Sequence, residues 1–493
     1  MKAENINLGL TSTTPESRGI SSGAVEEFLN DLEKKQLNMH GFILIRNGST
    51  VAEGYWPPFN ESSIHRIYSI SKSVTAVAIG RMIGEGKISL SSKVADFFPE
   101  HIPDNPHPYV MQATVRDLLM MSTFNKENSY NNETPDFTES FFKDNGPKHK
   151  AGTIFCYDTA ATTVLCAIVE KLSGQTLLSY MDPVLKEIGF TRETFCIEAP
   201  EGRSWTGSGV LWTARELALF AQLCMNLGEW NGKQLINREY MQEATSKQID
   251  TTINGGCADM RRGYGYQIWC LKDGGFGMYG MGSQYALCMP KYDTILITIA
   301  DTQGEDDSIG IIHDAFYKLL DTFSCDALPE NTDAGKKLEK RIAELKMPMP
   351  TGSKTTKFID DFTSKKFMLE ENEQGIKWLR LKADNDLYRL EYENASGEHE
   401  LIFGACRYEP FLFPEKYYGT RIGTRDRHYR CIGAAAWVDD NTMLGTIYSI
   451  DDYLGSIHLQ LTFSDCEVSG IMVKNAEWFF EEYQGFFNSI PIH

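Results

Sequence analysis

The chain has 493 residues, a formal net charge of −19 and a pI of about 5.1. So much negative charge argues against nucleic acid or an anionic membrane as the main partner. Hydrophobic residues form 42% of the sequence and charged residues 23%, as in a globular protein with a large core. The length predicts two or three domains.

The sequence shows no pattern typical of secretion, membrane spanning or metal binding. Its N-terminal stretch, MKAENINLGLTSTTPESRG, contains no signal-peptide core, and the longest apolar runs are far shorter than a membrane helix. The eleven cysteines include no C-x-x-C pair, and the histidines lack the spacing of zinc ligands. We therefore expect a cytoplasmic protein with reduced thiols, without metal or other cofactor.

In chain order, the predicted elements begin with a helix over 21–35 and a β-hairpin over 40–56. An apolar helix follows from about Ser69, and several further helices are predicted between about 90 and 250. Strands return over 264–300, and a helix over 309–323 closes the series. Strands thus flank a block of helices, which predicts an α+β domain with one antiparallel sheet built from both ends of this region.

The composition changes over 326–358, where Pro, Gly and charged residues surround one short helical segment. Strand-like runs then continue to the end of the chain. We predict a first domain over 1–325, a linker over 326–358 and a smaller all-β domain over 359–493.

The segment HRIYSISKSVTAVAIGRMIGEGKISL places Ser69 and Lys72 three residues apart at the start of a predicted helix. Side chains at this spacing are neighbours on one helix face, and a lysine beside a serine can take or relay its hydroxyl proton. The free N–H groups at the helix start also stabilise negative charge. The pattern favours acyl transfer, with Ser69 as the nucleophile.

The same S-x-x-K pattern occurs again at Ser140 and Lys143, in NETPDFTESFFKDNGPK. We interpret this second copy as a chance match on a solvated loop with no buried helix behind it. The residues after Ser69, in contrast, are apolar almost all round, which predicts a buried central helix. Ser69 and Lys72 are therefore the preferred pair.

Several blocks resemble the serine β-lactamase and penicillin-binding-protein superfamily, specifically its class C-like branch of esterases, peptidases and amide hydrolases. These blocks are TPESRGISSGAVEEFL, GFILIRNGSTVAEGYW, the segment around S-I-S-K and TVRDLLMMST. S-x-x-K is the nucleophile motif of that superfamily, and the resemblance extends over about residues 14–325. It implies a β-lactamase-like catalytic domain with a helical subdomain beside the sheet.

The resemblance also implies a tyrosine that shuttles protons beside the serine and lysine. Tyr157, in KAGTIFCYDTAATTVLCAIVEKLSG, matches the family's block before a buried helix, and we prefer it to Tyr130 in the polar run FNKENSYNNETPD. The alternative role for Tyr157 is core packing. Thr159 falls at the family's substrate-binding asparagine and Asp158 at its usual serine; a hydroxyl lacks the paired donor and acceptor of an amide.

The family's third motif, often K-T-G or H-x-G, occurs nowhere in this chain. The stretch GFGMYGMGSQYALCMPKYDTILITIAD resembles it best and implies that Met278, Tyr279 and Gly280 occupy substrate-binding positions. The backbone N–H of Met281 would then complete an oxyanion hole with that of Ser69. Met278 lacks the positive charge that binds a substrate carboxylate. The alternative is a glycine-rich hairpin without a catalytic role.

Two further regions resemble parts of family members. In GSGVLWTARELALFAQ, Trp212 is a candidate for lining the substrate pocket, as are Tyr55 and Trp56, and core packing is the favoured interpretation of each. The C-terminal domain resembles the lipocalin-like appendage of some relatives, through HELIFGACRYEP, GAAAWVDDNTML and NAEWFFEEYQGF. Such a domain would pack against the catalytic domain or cover its cleft.

The leading hypothesis is a serine hydrolase that cleaves small esters, amides or short peptides through an acyl-enzyme on Ser69. One alternative is β-lactamase or D,D-peptidase activity, which the missing third-motif lysine and the missing export signal oppose. Another is a catalytically silent relative that binds a ligand in the same cleft. The expected partner is a small-molecule or short-peptide substrate; no oligomeric state is predicted.

Overall fold

A computed structural model describes residues 11–125, 136–143, 147–305, 307–363, 365–416, 428–464, 467–477 and 479–490. The chain forms two compact units, Met1–Met347 and Pro348–His493. The boundary between the two units falls inside the segment 326–358 that we predict to be a linker.

Strands at both ends of the first unit enclose a block of helices. Its strands are β1 (Thr11–Ser12), β2 (Met39–Arg46), β3 (Ser49–Tyr55), β4 (His65–Arg66), β5 (Phe195–Cys196), β6 (Val210–Trp212), β7 (Glu229–Trp230), β8 (Lys233–Gln234), β9 (Trp269–Cys270), β10 (Phe276–Gly280), β11 (Gln284–Met289) and β12 (Thr294–Ala300). Its helices are α1 (Ser22–Lys34), α2 (Ile70–Gly84), α3 (Pro108–Gln112), α4 (Val115–Leu119), α5 (Phe137–Lys143), α6 (Thr159–Ser173), α7 (Leu177–Glu187), α8 (Ala214–Met225), α9 (Arg238–Ala244), α10 (Ser308–Leu320) and α11 (Thr332–Ala343).

Within the described residues, a seven-stranded sheet forms the centre of this unit, in the order β1-β3-β2-β12-β11-β10-β9. Neighbouring strands are antiparallel except for β1 and β3. The sheet is therefore built from both ends of the domain, which confirms the sequence prediction. Asn47 and Gly48 join β2 to β3 with φ angles of 50° and 65°, as a tight two-residue hairpin turn requires.

Helices cover both faces of the sheet, and every residue of β2 and β12 is buried. Because side chains alternate along a strand, the two faces have different neighbours. Ile43 and Met278 belong to the large core shared with α2, α6 and α8. Tyr279 lies on the opposite face, where its ring contacts His313 of α10. The helix α2, which begins directly after Ser69, is thus packed inside the unit.

The segment predicted as a linker contains α11, and α11 packs against the first unit. Arg341 of α11 pairs with Glu33 of α1 at 2.6 Å and donates to Asn30 at 3.0 Å. Leu338 is buried on the inner side of the helix. Part of this segment is therefore an attached helix of the first unit and not a free connector.

The second unit is an all-β domain with one short helix among its described residues. The helix is α12 (Ile359–Phe362), and the strands are β13 (Phe367–Met368), β14 (Trp378–Asp384), β15 (Leu387–Asn394), β16 (Gly397–Ala405), β17 (Glu409–Lys416), β18 (His428–Trp437), β19 (Thr442–Ile450), β20 (Leu454–Phe463), β21 (Val468–Ala476) and β22 (Gly485–Asn488). The predicted division into an α+β domain and a smaller all-β domain is thus confirmed.

One curled sheet contains all the described strands of the second unit, in the order β13-β14-β15-β16-β18-β19-β20-β21-β22, with β17 paired to β18. Its two edges meet, because the Glu370 N–H donates to the Asn488 carbonyl at 2.9 Å. Aromatic rings fill the inside of the curled sheet. The ring centroid of Phe362 lies 5.9 Å from that of Trp437 and 4.9 Å from that of Phe463. The sheet therefore encloses a core of its own.

Two buried histidines connect β2 to β4, close to the start of α2. His40 Nδ1 and His65 Nε2 are 3.1 Å apart, and the ring of Phe59 stacks on His40 at 3.8 Å. Burial lowers the pKa of His40 well below its ordinary value, with a smaller contribution from His65. Burial also lowers the pKa of His65 to about 4, partly offset by its bond to the Ser63 carbonyl. Both rings are therefore neutral in the folded protein at neutral pH.

These histidines predict a loss of stability in weak acid. Between pH 6.5 and about 4 the unfolded chain binds protons on both imidazoles and the folded chain does not, so stability falls as pH falls. Each histidine contributes about 1 kcal/mol per pH unit in this window. Urea unfolding at pH 7, 6 and 5 should show a shallower decline for His65→Gln than for the wild type. The exposed His107→Gln is the control, and an equal decline in all three proteins would contradict the prediction.

Candidate active site

The loop before α2 places Ser69 at the tip of a buried helix. β4 pairs with β6, and the Ile67 N–H donates to the Val210 carbonyl at 2.9 Å. Ser69 is the N-cap residue of α2, but its side chain makes no capping hydrogen bond. Its hydroxyl is therefore available to other partners, while the helix start contributes a positive electrostatic potential.

Lys72 lies between the serine and a backbone carbonyl. Its Nζ donates to Ser69 Oγ at 2.8 Å and to the carbonyl of Gly207 at 2.5 Å. The lysine side chain is 1% exposed, so these acceptors replace water. Helical spacing explains the first contact, because residues three apart share a face. The second contact comes from a loop 135 positions away along the chain.

Tyr157 lies on the other side of the same pair. Its ring centroid is 5.1 Å from Lys72 Nζ. Burial raises the pKa of Tyr157 to about 12, and a side-chain hydrogen bond with Ser69 opposes part of that rise. The phenol is therefore protonated at neutral pH. The structure thus brings Ser69, Lys72 and Tyr157 together.

The edge of β10 lies beside the start of α2. A Cβ added to Gly280 would be 2.3 Å from the carbonyl oxygen of Ile67, so the two backbones touch. Within the hydrogen bonds of the described residues, neither the Ser69 nor the Met281 amide N–H is a donor. Met281 follows Gly280 at the tip of the β10–β11 hairpin. The Ser69 and Met281 amides therefore have no protein acceptor among the described residues.

Two third-motif residues have different surroundings from each other. The Met278 side chain is fully buried in the core beneath the sheet, so it does not face a substrate. Tyr279 points to the opposite face, where it stacks on Trp269 at 6.0 Å. The expectation that the Met278 side chain binds substrate is corrected, because strand alternation turns it into the core beneath the sheet. Tyr279 contacts Trp269, which also stacks on Tyr157, and stays a predicted substrate-binding residue. Gly280 remains at the site through its backbone.

Trp212 is also a core residue and not a pocket residue. Its side chain is fully buried between Phe190, at 5.1 Å, and Phe220, at 5.2 Å. Trp56 is likewise buried, while the Tyr55 hydroxyl donates to Glu53 at 2.5 Å. The candidate role of Trp212 in contacting substrate is therefore corrected, and the favoured interpretation of core packing holds.

The residues after Tyr157 start α6. Asp158 is the N-cap residue, and its Oδ1 accepts from the Ala160 N–H at 2.9 Å, a typical capping bond. Thr159 is the first residue of α6 and is partly exposed. Asp158 therefore stabilises the helix, while Thr159 lies two residues from Tyr157 and stays a predicted substrate-binding residue.

The second S-x-x-K copy lies in α5, which corrects the prediction of a solvated loop. Ser140 is fully buried, and its Oγ donates to the Phe137 carbonyl at 3.1 Å. Lys143 pairs with Glu139 on the surface of the helix. Serine and lysine therefore have separate partners, so the copy is a chance match as proposed. Tyr130, the second tyrosine candidate, lies outside the described residues.

Several residues near the site gave no signal in the sequence. Gly207 contributes a backbone carbonyl, which no side-chain pattern reveals. Trp269 stacks on Tyr157, with ring centroids 6.1 Å apart and planes 12° apart, and Tyr264 contacts the same ring edge-on at 6.5 Å. Arg66, three residues before Ser69, is fully buried. Only its position next to the motif could have drawn attention to it.

The chain belongs to the Beta-lactamase family, because the sequence model of that family matches residues 29–315, more than half of its length. This match confirms the superfamily that the sequence blocks resemble.

Individual relatives agree with this assignment. The 6-aminohexanoate-dimer hydrolase of Paenarthrobacter ureafaciens is 22% identical over 325 residues, which cover 59% of this chain and 81% of that protein. The putative 6-aminohexanoate-dimer hydrolase from Bacillus anthracis has a TM-score of 0.50 and 19% identity, covering 67% of this chain and 88% of its own. A putative beta-lactamase from Bacteroides dorei has a TM-score of 0.51 and 15% identity, covering 61% and 99%. These relatives are named as hydrolases, and the structures show the shared fold.

Three further features concern the described residues only. No helix in this part of the chain combines the length and apolar character needed to cross a membrane. No group of three or more His, Cys, Asp or Glu side chains there is arranged to hold a metal ion. The cysteines that the structure describes are free thiols.

The contact between Gly280 and Ile67 predicts that Gly280→Ala damages the site. The new Cβ would overlap a backbone carbonyl two residues before Ser69, so the strand or the serine turn must shift. We expect a loss of about 1–3 kcal/mol in the free energy of unfolding and at least tenfold slower reaction at Ser69. Urea unfolding measures the change in stability, and the rate at which a fluorophosphonate labels Ser69 measures the change in reactivity. Gly23→Ala in α1 has no neighbour within 4 Å and should be neutral or stabilising; equal behaviour of the two variants would refute the prediction.

Proposed function

We propose that this chain hydrolyses small esters, amides or short peptides through an acyl-enzyme on Ser69. The observation that supports this proposal most strongly is the buried Lys72 Nζ at 2.8 Å from Ser69 Oγ. A buried amine touching a serine at a helix start is suited to activate a nucleophile. Membership of the Beta-lactamase family supports the same reaction class.

In the first step, Ser69 Oγ forms a bond to the substrate carbonyl carbon. The hydroxyl proton passes to Lys72, which must be uncharged at that moment and keeps one N–H on the Gly207 carbonyl. The carbonyl oxygen becomes an oxyanion, which the amide N–H groups of Ser69 and Met281 would stabilise. The electron pair of the carbonyl π bond thus moves to oxygen, and no co-reactant is needed.

In the second step the tetrahedral intermediate collapses and the bond to the leaving group breaks. The leaving oxygen or nitrogen receives the proton from Lys72, directly or through the neutral hydroxyl of Tyr157. Water then attacks the acyl ester, gives up one proton to the same groups and releases the acid with a regenerated serine hydroxyl. Tyr157 suits this relay because its raised pKa keeps the phenol protonated.

The substrate class is narrowed by the relatives and by the third-motif position. One relative is named as a 6-aminohexanoate-dimer hydrolase, and the units of such a dimer are joined by an amide bond, which favours an unstrained ester or amide here as well. Met278, at the position of the family's cation, is buried and uncharged. The side chain that holds a β-lactam carboxylate in relatives is therefore missing from this position, which argues against efficient β-lactamase or D,D-peptidase action.

Labelling with a fluorophosphonate, followed by peptide mass spectrometry, tests the proposed nucleophile. The wild type should be labelled at Ser69, and Ser69→Ala should not. We expect labelling to slow about 1,000-fold in Lys72→Met and 10- to 100-fold in Tyr157→Phe, because proton transfer contributes effects of this size.

The second S-x-x-K copy provides the matched control for these variants. Ser140→Ala and Lys143→Met make the same changes at an identical spacing, and both should label within twofold of the wild type. A folded wild-type protein that does not label at Ser69 would instead support a silent ligand-binding relative.

A substrate panel tests the reaction class. It should contain p-nitrophenyl acetate and butyrate, the linear 6-aminohexanoate dimer and the chromogenic β-lactam nitrocefin. We expect kcat/KM for an ester or linear amide to exceed that for nitrocefin by at least 100-fold, since each missing charge contact costs a few kcal/mol. Ser69→Ala serves as the blank for each substrate, and efficient nitrocefin turnover would reverse the assignment.

A further inference from the structure

Arg66 connects directly to the loop that holds Lys72. Its Nε donates to the Ser208 carbonyl at 2.8 Å, and its Nη2 donates to Ser208 Oγ at 2.8 Å. Ser208 follows Gly207, whose carbonyl accepts from Lys72 Nζ. The fully buried guanidinium of Arg66 therefore holds Ser208, the residue after Gly207, through two hydrogen bonds. The planar guanidinium presents its N–H donors in a fixed fork, which no other side chain offers.

The same guanidinium contacts the turn that presents Ser69. Its Cζ lies 4.2 Å from the ring centroid of Tyr68 and 4.8 Å from that of Trp205, within the range of cation–π attraction. Tyr68 has a φ of 47°, in the left-handed region that bulky side chains disfavour. Arg66 thus packs against a strained residue immediately before the serine.

The loop 205–208 has other anchors besides Arg66, and one of them lies in the peptide group of the Gly207 carbonyl: the Ser208 N–H donates to the Trp205 carbonyl at 3.1 Å. Thr75 Oγ1 donates to Thr206 Oγ1 at 2.7 Å, and pairing of β4 with β6 holds the chain beyond the loop. The two bonds from Arg66 to Ser208 add to these anchors and restrain the residue that directly follows the Gly207 carbonyl. A small rotation of the Gly207 peptide would remove the carbonyl from Lys72.

We propose that Arg66 is a positioning residue for acyl transfer at Ser69. By fixing the loop 205–208 it holds the Gly207 carbonyl on Lys72, and by packing on the serine turn it fixes the other partner. Arg66 therefore helps to position both Lys72 and Ser69, whose side chains form the 2.8 Å hydrogen bond. This role rests on the proposed function, since it concerns the same reaction.

The kinetics of fluorophosphonate labelling separate positioning from mere structural support. The final extent of labelling reports the fraction of intact sites, and the rate constant reports the reactivity of each site. Arg66→Lys keeps the positive charge but loses the planar guanidinium that makes two hydrogen bonds at once. It should lower the labelling rate constant 10- to 100-fold and leave the final extent of labelling unchanged, as expected for a misplaced catalytic group. Ser208→Ala removes one of the two bonds and should lower the rate constant about fivefold.

Arg81→Lys is the matched control, because Arg81 lies in α2, donates to the Tyr180 carbonyl and packs over the Tyr180 ring at 4.4 Å. Its labelling rate should stay within twofold of the wild type.

A reduced extent with an unchanged rate constant in Arg66→Lys would overturn the proposal. If circular dichroism shows that Arg66→Lys is unfolded, Ser208→Ala decides, and a change below twofold overturns the proposal. A wild type that does not label overturns the proposed function too, whereas a reactive wild type with unaffected variants overturns only the role of Arg66.

Discussion

The hydrogen bonds of the buried Lys72 amine are the interaction on which the proposed chemistry depends. A buried amine loses its hydrogen bonds to water, which is costly unless other polar groups replace the lost solvent. Here Ser69 Oγ and the Gly207 carbonyl do so, at 2.8 Å and 2.5 Å. The requirement to hold this group explains why a polar loop lies against an otherwise apolar helix, α2.

The elements around α2 meet this requirement through backbone contacts more than through side chains. The serine turn pairs with the strand after the loop 205–208, and the β10 backbone touches the carbonyl of Ile67. Backbone groups tolerate substitution of their own side chains, because the N–H and C=O remain. This is why a buried methionine can stand at the third-motif position while the Ser69 and Met281 amides remain as donors without a protein acceptor among the described residues.

Most of the fold and the central pair of the site could be predicted from the sequence. The hairpin 40–56, the helix after Ser69 and the return to strands over 264–300 all have the expected types, because their apolar periodicity and turn residues are local signals. The expected environments of Met278 and Ser140 were wrong, and Trp212 packs in the core, the interpretation favoured for it over a pocket role. Sequence patterns identify a residue as apolar or polar, but they do not tell which of two buried faces a strand residue occupies or what covers a short helix.

The sequence by itself determined the neighbourhood of Ser69 and Lys72, because three residues along a helix make nearly one turn whatever surrounds it. Only the tertiary structure decided what completes that pair. Gly207 and Tyr157 lie in segments far from Ser69 along the chain. The hydrogen bonds from Arg66 to Ser208 depend on a side-chain direction that packing determines. Local geometry is set by backbone dihedrals, whereas contacts across the chain exist only once the sheet and the helices have buried their shared core.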